Sequence, residues 1–202
     1  MDCILSDDKK MEADLTYTLA RGVELNVNVV DLGNCDADVH VKVVLNEGSR
    51  CSVNLASLCH AGRRKVFSID TYHQEGDSYS RTKMAGINLG DGTLFFYGTS
   101  DVPNGSHGSD TRQEGKITNL SPGSRSEVSP ALLIKDNDVN ASHGAALGAY
   151  DPEALYYMMS RGLSKEESQK LITIGSLIPI VQSISDKTVA EEAMASLEAL
   201  SI

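Results

Sequence analysis

The sequence predicts a mostly β protein that ends in a small group of helices. From Leu15 onward, short segments alternate apolar and polar residues with period two, as in "VELNVNVVDL", which begins at Val23. Turn signals containing Gly, Asn or Asp separate most of these segments. After Gly148 the pattern changes to segments with clear helix caps. The 202 residues suffice for one domain with a real core, or for one domain and an appendage.

The β region is expected to span residues 14–148, after a loose polar lead-in over residues 1–13. Its alternating segments include "VELNVNVVDL", "DVHVKVVL", "CSVNLASL", "KVFSID", "TLFFYGT", "KITNL" and "PALLI". Two architectures fit such a run, namely a sandwich or barrel of hairpins and a stacked β-solenoid. Asn-Gly hairpin signals are almost missing, and the glycine-marked turns are only loosely periodic. Alternation therefore predicts β structure and leaves the topology open.

The helical region is expected to span residues 149–202. Asp151 is a suitable N-cap, Pro152 occupies the favoured first position, and Gly162 is well placed as the left-handed C-terminal stop. Ser164 and Glu167 form a capping box that begins a second helix.

The second helix carries an apolar face that we predict from its spacing: Leu171, Ile174, Ile178 and Val181. Pro179 should kink or break this helix. A third helix from about Asp186 carries its own stripe: Ala190, Ala193, Met194, Leu197 and Leu200. Helices this short are unstable alone, so their apolar faces must pack on the β region, on each other or on a partner.

Composition excludes several classes of function. The formal net charge is -10, which disfavours DNA, RNA and acidic membrane surfaces as partners. The short basic segment "GRRK" (62–65) is interpreted as a solvated turn. No apolar stretch is long enough to span a bilayer, and the N-terminus does not resemble a signal peptide, so we expect a cytoplasmic protein. The four cysteines are then reduced, and no C-x-x-C pair indicates a zinc or thioredoxin-like site.

One stretch carries a specific motif. "PALLIKDNDVNASHGAALG" (130–148), followed by "DPEALYYMMSRGL" (151–163), resembles the SufB/SufD family of iron–sulfur cluster assembly scaffolds. The family pattern is roughly P-x-L-x-I-x-x-x-D-V-x-x-x-H-G-A-x-x-G, and then D-x-E-x-L-F-Y-L-x-S-R-G. Weaker similarity extends over residues 15–185, and the chain resembles a short, SufD-like member.

The resemblance implies a right-handed parallel β-helix followed by a C-terminal helical domain. It implies pairing through the β-helix with a SufB-like partner or with a second copy. It also implies docking of a SufC-like ABC-type ATPase on the helices. The chain itself is then a non-catalytic scaffold, and no P-loop "GxxxxGK[ST]" is present to bind nucleotide.

The resemblance makes His143 the candidate iron ligand or cluster-assembly residue. A neutral imidazole can ligate iron, and histidine replaces cysteine in some clusters. The alternative is that His143 only orders the junction between strand and helix through hydrogen bonds. SufB-type members carry a glutamate where this chain has Gly144, and no cysteine follows Cys59. We therefore expect any iron–sulfur cluster on this chain to be transient.

The first predicted helix carries the candidate partner surface, with four consecutive large residues from Tyr156 to Met159. Successive helical positions turn by ~100°, so they cannot all face inward. We predict that part of this surface binds the ATPase: Tyr156, Tyr157, Met159, Arg161 and Gly162. The alternative is packing against the β region.

Two rival hypotheses remain. Asp136 and Asp138 could serve a carbohydrate-active β-helix enzyme, although two acids in a turn are more often turn formers and Trp, a common sugar platform, is absent. The chain could also be a purely structural family member that supports dimerisation without chemistry. Two further histidines, His73 and His107, are expected in solvated polar loops.

Overall fold

The computed structural model describes residues 2–5, 10–149 and 151–200, with only the backbone described for residues 2–5. Within these ranges the chain forms eleven strands followed by three helices. The strands are β1 (Asp2–Leu5), β2 (Met11–Leu19), β3 (Glu24–Asp31), β4 (Ala37–Leu45), β5 (Arg50–Cys59), β6 (Arg64–His73), β7 (Tyr79–Asn88), β8 (Thr93–Val102), β9 (Asp110–Asn119), β10 (Arg125–Ile134) and β11 (Asn140–Gly148). The helices are α1 (Pro152–Ser160), α2 (Lys165–Val181) and α3 (Lys187–Glu198).

Every pairing in the described strands is parallel and joins strands two places apart in the chain. The odd-numbered strands form a six-stranded sheet and the even-numbered strands a five-stranded sheet. Arg50 pairs with Glu24 in the first sheet, and Arg125 pairs with Thr93 in the second. Each coil thus contributes one strand to each sheet, in about five coils. The predicted parallel β-helix is confirmed, and the sandwich or barrel of hairpins is excluded.

The lead-in predicted over residues 1–13 is partly wrong. Backbone pairing of β1 with β3 places Asp2 beside Asn28, and β2 already begins at Met11. β1 has only four residues, which is too short for an alternating pattern to be recognised in the sequence.

The first core lies between the two sheets, where inward side chains from successive coils stack in columns. In the early coils these columns are apolar, as in Val27 above Val53 and Val29 above Leu55. Phe67 and Phe96 face them from the five-stranded sheet, with ring centroids 6.0 Å apart. Each such buried side chain contributes about 1.5–3 kcal/mol of hydrophobic free energy.

Toward the later coils the interior becomes polar. Val53 pairs with Thr82, Thr82 with Gln113, and Gln113 with His143, so one column passes from valine to polar residues. The Gln113 amide is buried and its Nε2 donates to Ser100 Oγ at 2.6 Å. Because each buried polar group needs a partner, hydrogen bonds partly replace apolar contacts in these coils.

The prediction that His73 is solvated is wrong. His73 ends β6 with its side chain fully buried in this polar interior. Its ring nitrogens lie 2.8 Å from Ser78 Oγ and 2.9 Å from Ser80 Oγ. Burial lowers the pKa of His73 to about 4, so the ring is neutral at physiological pH. The residues that follow His73 are polar, so the sequence pattern indicated a solvated loop rather than a buried side chain.

One ion pair is buried in the interior near the start of β6, the strand that His73 ends. Lys65 Nζ donates to Asp31 Oδ2 at 2.7 Å and to the carbonyls of Gly33 and Leu58 at 2.7 and 2.9 Å. Ser57 Oγ donates to the same Asp31 oxygen at 2.9 Å. Burial is the largest influence on the Asp31 pKa and raises it, while the Lys65 charge acts in the opposite direction.

A second core joins the helices to the outer face of the six-stranded sheet. The sheet contributes Val30, Leu32, Ala56, Leu58 and Ile87, and the helical region contributes Leu177, Ile180, Val181, Ile184, Ala193 and Leu197. Of the packing options open at the sequence level, α2 and α3 thus pack on the β region. No helix in the described part of the chain is long and apolar enough to cross a membrane.

The face predicted for α2 is partly wrong. Leu171 is 47% exposed, and the buried face includes Ser168 and Thr173, which the apolar pattern could not identify. The helix does not break at Pro179 but continues to Val181. The stripe predicted for α3 is correct, with Ala193 and Leu197 fully buried.

Candidate functional site

The C-terminal end of the β-helix is open. β10 pairs only with β8, and β11 pairs only with β9, among the described strands. Every residue of β11 is exposed, and Leu147, which shares its face with the buried Ile117, is 52% exposed. Two unpaired strand edges and apolar side chains therefore border the mouth of the interior, which is a surface suited to strand addition.

His143 stands in this mouth. It pairs with Gln113, and paired residues of parallel strands project to the same face, so the imidazole continues the polar column of the interior. The ring is exposed and makes no hydrogen bond to any described residue. The alternative role, ordering the junction through hydrogen bonds, has no support in the contacts of the described residues.

The described residues around His143 do not form a preassembled metal site. No group of three or more His, Cys, Asp or Glu side chains is placed to hold a metal ion within the residues that the structure describes. Among the described residues, His143 thus offers a single potential nitrogen ligand.

The described cysteines do not serve as ready ligands. Cys51 and Cys59 are fully buried, and burial raises the pKa of Cys51 to about 12 and that of Cys59 to about 11. Cys35 is also buried and its pKa is raised, again mainly by burial. The metal ligand is the thiolate, so these protonated thiols act as small hydrophobes, as predicted for Cys51 and Cys59.

The first helix presents the predicted partner surface to solvent. Tyr156 is 76% exposed, Tyr157 59% and Met159 44%, and no residue of α1 is buried. Arg161 Cζ lies 5.2 Å from the centroid of the Tyr157 ring, within cation–π range. An exposed aromatic and arginine group of this kind has the composition of a protein-binding surface.

Both ends of α1 are capped. Asp151 accepts a hydrogen bond from the Glu153 amide at 3.0 Å, with Pro152 at the first helical position. Gly162 has φ +98° and its N–H donates to the Met159 carbonyl at 3.0 Å. Both caps are as predicted, since a side-chain acceptor starts the helix and glycine adopts the left-handed conformation that ends it.

Asp136 is a turn former. It is buried and accepts hydrogen bonds from the amides of Gly105 and Asp138 at 2.9 and 3.0 Å, and His107 Nδ1 lies 3.1 Å away. The hydrogen bond from the Asp138 amide has the largest effect and lowers the pKa of Asp136, and the Gly105 amide and His107 lower it further. An ionised carboxylate engaged in this way is a poor general acid, so the turn interpretation is supported over the glycosidase one.

Gln113 is a neighbour of His143 that the sequence analysis did not identify. It lies one coil before His143, in the same column of the interior. In the sequence, the two residues are related only by the number of residues in one coil. Because that number varies from coil to coil, the sequence does not show that they share a column.

Comparison with known proteins agrees with the motif. The family model described as "SUF system FeS cluster assembly, SufBD core domain" matches residues 11–176. The iron–sulfur cluster assembly protein SufD of Bacillus subtilis is 34% identical over 113 residues, which are 56% of this chain and 26% of that protein. The SufD protein of Escherichia coli is 27% identical over 154 residues, which are 74% of this chain and 36% of that protein. The chain thus spans about a third or less of the length of these curated relatives.

Proposed function

Because the chain belongs to the SufB/SufD family of iron–sulfur cluster assembly proteins, we propose that it is a non-catalytic scaffold subunit of a cytoplasmic Suf-type complex. It pairs through the open end of its β-helix and binds an ABC-type ATPase through its C-terminal helices. The iron–sulfur cluster is cargo that is assembled and passed on. The observation that carries this proposal is the position of His143, exposed in the mouth of the interior between two unpaired strand edges.

Pairing at the open end is supported by the edges of β10 and β11. Their unpaired N–H and C=O groups can bond a partner strand, and contact would cover apolar side chains such as Leu147. The partner is a SufB-like subunit or a second copy of this chain. In either arrangement His143 lies at the interface, where the partner can supply ligands beyond those that the described residues offer.

His143 then acts as a ligand of the cargo iron. Its neutral form has a lone pair on one ring nitrogen, and no competing hydrogen bond from a described residue holds the ring. A single imidazole binds iron weakly compared with a full ligand set, which suits an intermediate that must leave again.

The ATPase binds at Tyr156, Tyr157, Met159, Arg161 and Gly162 in this proposal. α1 contacts α2, and α2 packs on β3, β5 and β7 of the six-stranded sheet. β11, which carries His143, is the last strand of the same sheet. A displacement of α1 by the ATPase can therefore reach the assembly site through α2 and the sheet, without any chemistry performed by this chain.

The role of His143 is tested with His143→Ala in the reconstituted complex. We expect normal pairing in size-exclusion chromatography, but loss of cluster absorbance and of transfer to an apo-ferredoxin. Ser142→Ala is the matched control, since its side chain lies on the opposite face of β11. Unchanged cluster formation with His143→Ala would favour a purely structural role.

The ATPase surface is tested separately by co-purification. Deleting residues 151–202 would expose the second core and could unfold the chain. Substitutions on the surface of α1 test ATPase binding without this side effect. We expect Tyr156→Ala with Tyr157→Ala to abolish stoichiometric recovery of the ATPase, while Leu171→Ala, exposed on α2, retains it. Full recovery with the tyrosine variant would place the docking surface elsewhere.

A further inference from the structure

A cleft of about 350 Å³ lies at the N-terminal ends of strands of the five-stranded sheet, and its lining includes neither His143 nor a residue of α1. It is formed where β6, β8 and β10 begin, together with the turns that precede them. Its lining consists of Gly62, Arg63, Arg64, Asp91, Thr93, Gly123 and Arg125. Arg63 and Arg64 belong to the segment interpreted as a solvated turn, and the fold adds Arg125 from two coils later.

Three of these residues form one row across the sheet. Arg64 pairs with Thr93, and Thr93 pairs with Arg125. The next residues in the first two strands, Lys65 and Leu94, are buried inside, so the row faces outward. With strands ~4.8 Å apart, two arginines flank the threonine at a Cα separation of about 10 Å, which long side chains can close around one ligand.

The guanidinium groups of this cleft keep free donors. Arg63 Nε donates to Asn34 Oδ1 at 3.0 Å, and Arg64 Cζ lies 6.0 Å from the centroid of the Phe95 ring. None of Arg63, Arg64 and Arg125 forms a salt bridge with a carboxylate in the described part of the chain. Each guanidinium has five N–H donors, so most of them remain unengaged.

The nearby carboxylates are already engaged by backbone amides. Asp91 Oδ1 accepts from the Gly62 amide at 2.7 Å, and Asp36 Oδ1 accepts from the Arg64 amide at 2.9 Å. These bonds hold the two turns in place and direct the acids toward the backbone. Three arginines without carboxylate partners are thus grouped on a chain whose formal net charge is -10.

We propose that this arginine cleft, Arg63, Arg64 and Arg125 around Thr93, binds a small molecule through one or two phosphate groups. Guanidinium forks match phosphate oxygens bidentately, and the threonine hydroxyl can donate between them. The volume is at the lower end of the range for ligand sites. The negative charge of the rest of the chain disfavours a long polyanion, so the ligand is small.

The test is an amide NMR titration of the full chain at constant ionic strength, with inorganic phosphate, pyrophosphate and ADP as separate probes. We expect saturable shifts at Gly62, Thr93 and Gly123. Saturation by inorganic phosphate would identify the ligand as a free oxyanion. Tighter binding of ADP than of inorganic phosphate would identify the ligand as the phosphate group of a nucleotide.

Arg125→Gln should weaken the binding about tenfold or more, because a charged bidentate contact is lost. Arg21→Gln, an exposed arginine in a turn between β2 and β3, should leave the affinity unchanged. Thermal unfolding checks that both variants fold. Shifts that stay linear for every probe, or equal affinities for Arg125→Gln and wild type, would overturn the proposal, as would selective binding of an acidic peptide.

Discussion

The buried ion pair between Lys65 and Asp31 allows a sharp prediction. In Lys65→Met, the apolar stem of the side chain is kept and the charge is removed. Asp31 then remains inside the β-helix with only Ser57 as a side-chain donor, in place of the 2.7 Å contact with Nζ. The Lys65 donors to the Gly33 and Leu58 carbonyls are lost as well.

The expected loss at pH 7.5 is about 3–5 kcal/mol of the free energy of unfolding, which is typical when one partner of a buried pair is removed. This is a large part of the ~5–15 kcal/mol that stabilises most domains. Burial already raises the Asp31 pKa, and removal of the Lys65 charge raises it further. A carboxyl with a raised pKa in the folded state costs stability when it ionises. The loss should therefore shrink as pH falls toward the ordinary aspartate pKa.

Urea unfolding at pH 7.5 and pH 5 measures both effects. The double variant Lys65→Met with Asp31→Asn should recover much of the loss, since no charge is left unpaired, and its stability should depend less on pH. Lys42→Met, on the exposed face of the neighbouring strand, should change stability by less than about 0.5 kcal/mol. Additive losses in the double variant, or a loss independent of pH, would refute the argument.

Three further predictions concern the interior and the helices. Since the folded pKa of His73 is about 4 against an ordinary value of 6.5, stability should fall as pH drops from 6.5 toward 4, by up to about 3 kcal/mol. Urea unfolding of His73→Gln should show a flatter pH dependence than wild type, and an equal slope would contradict the assignment. Cys51 and Cys59 should resist alkylation at pH 8 until the protein unfolds, as peptide mapping by mass spectrometry can show; rapid labelling of the native protein would be inconsistent with their burial. Leu197→Ala should cost about 2–5 kcal/mol and increase hydrogen exchange in α2, against which α3 packs, whereas Leu171→Ala should cost much less; similar costs for both would argue against burial of α3 in the second core.

The strands could be located from the sequence, but their pairing could not be derived from alternation. Period-two patterns mark β structure equally well in hairpins and in coils. The coils differ in length because the turns differ, from the short "NEGS" after β4 to the long turn around Pro103, so no fixed repeat is visible. The family motif, rather than periodicity, predicted the parallel β-helix.

The sequence predicted those residues of the candidate site that lie within one contiguous motif, and it did not predict residues that only the fold brings together. His143 and the caps of α1 lie within one contiguous motif, so spacing identifies them. The burial of His73 depends on hydroxyl partners such as Ser78 and Ser80 meeting its ring, and the cleft at Arg125 depends on a register over two coils. Such juxtapositions depend on the fold, and no local pattern encodes them.

The graded composition of the interior has a consequence for biogenesis. Within the described β-helix, the valine- and leucine-rich coils leave the ribosome before the polar ones, and hydrophobic burial can consolidate them before the polar coils are synthesised. The serine- and threonine-rich coils gain little from collapse alone and need a finished layer beneath them to fix their donors and acceptors. Assembly of the β-helix is therefore vectorial, and among the described strands the one that carries His143 is the last to join it, before the three helices follow.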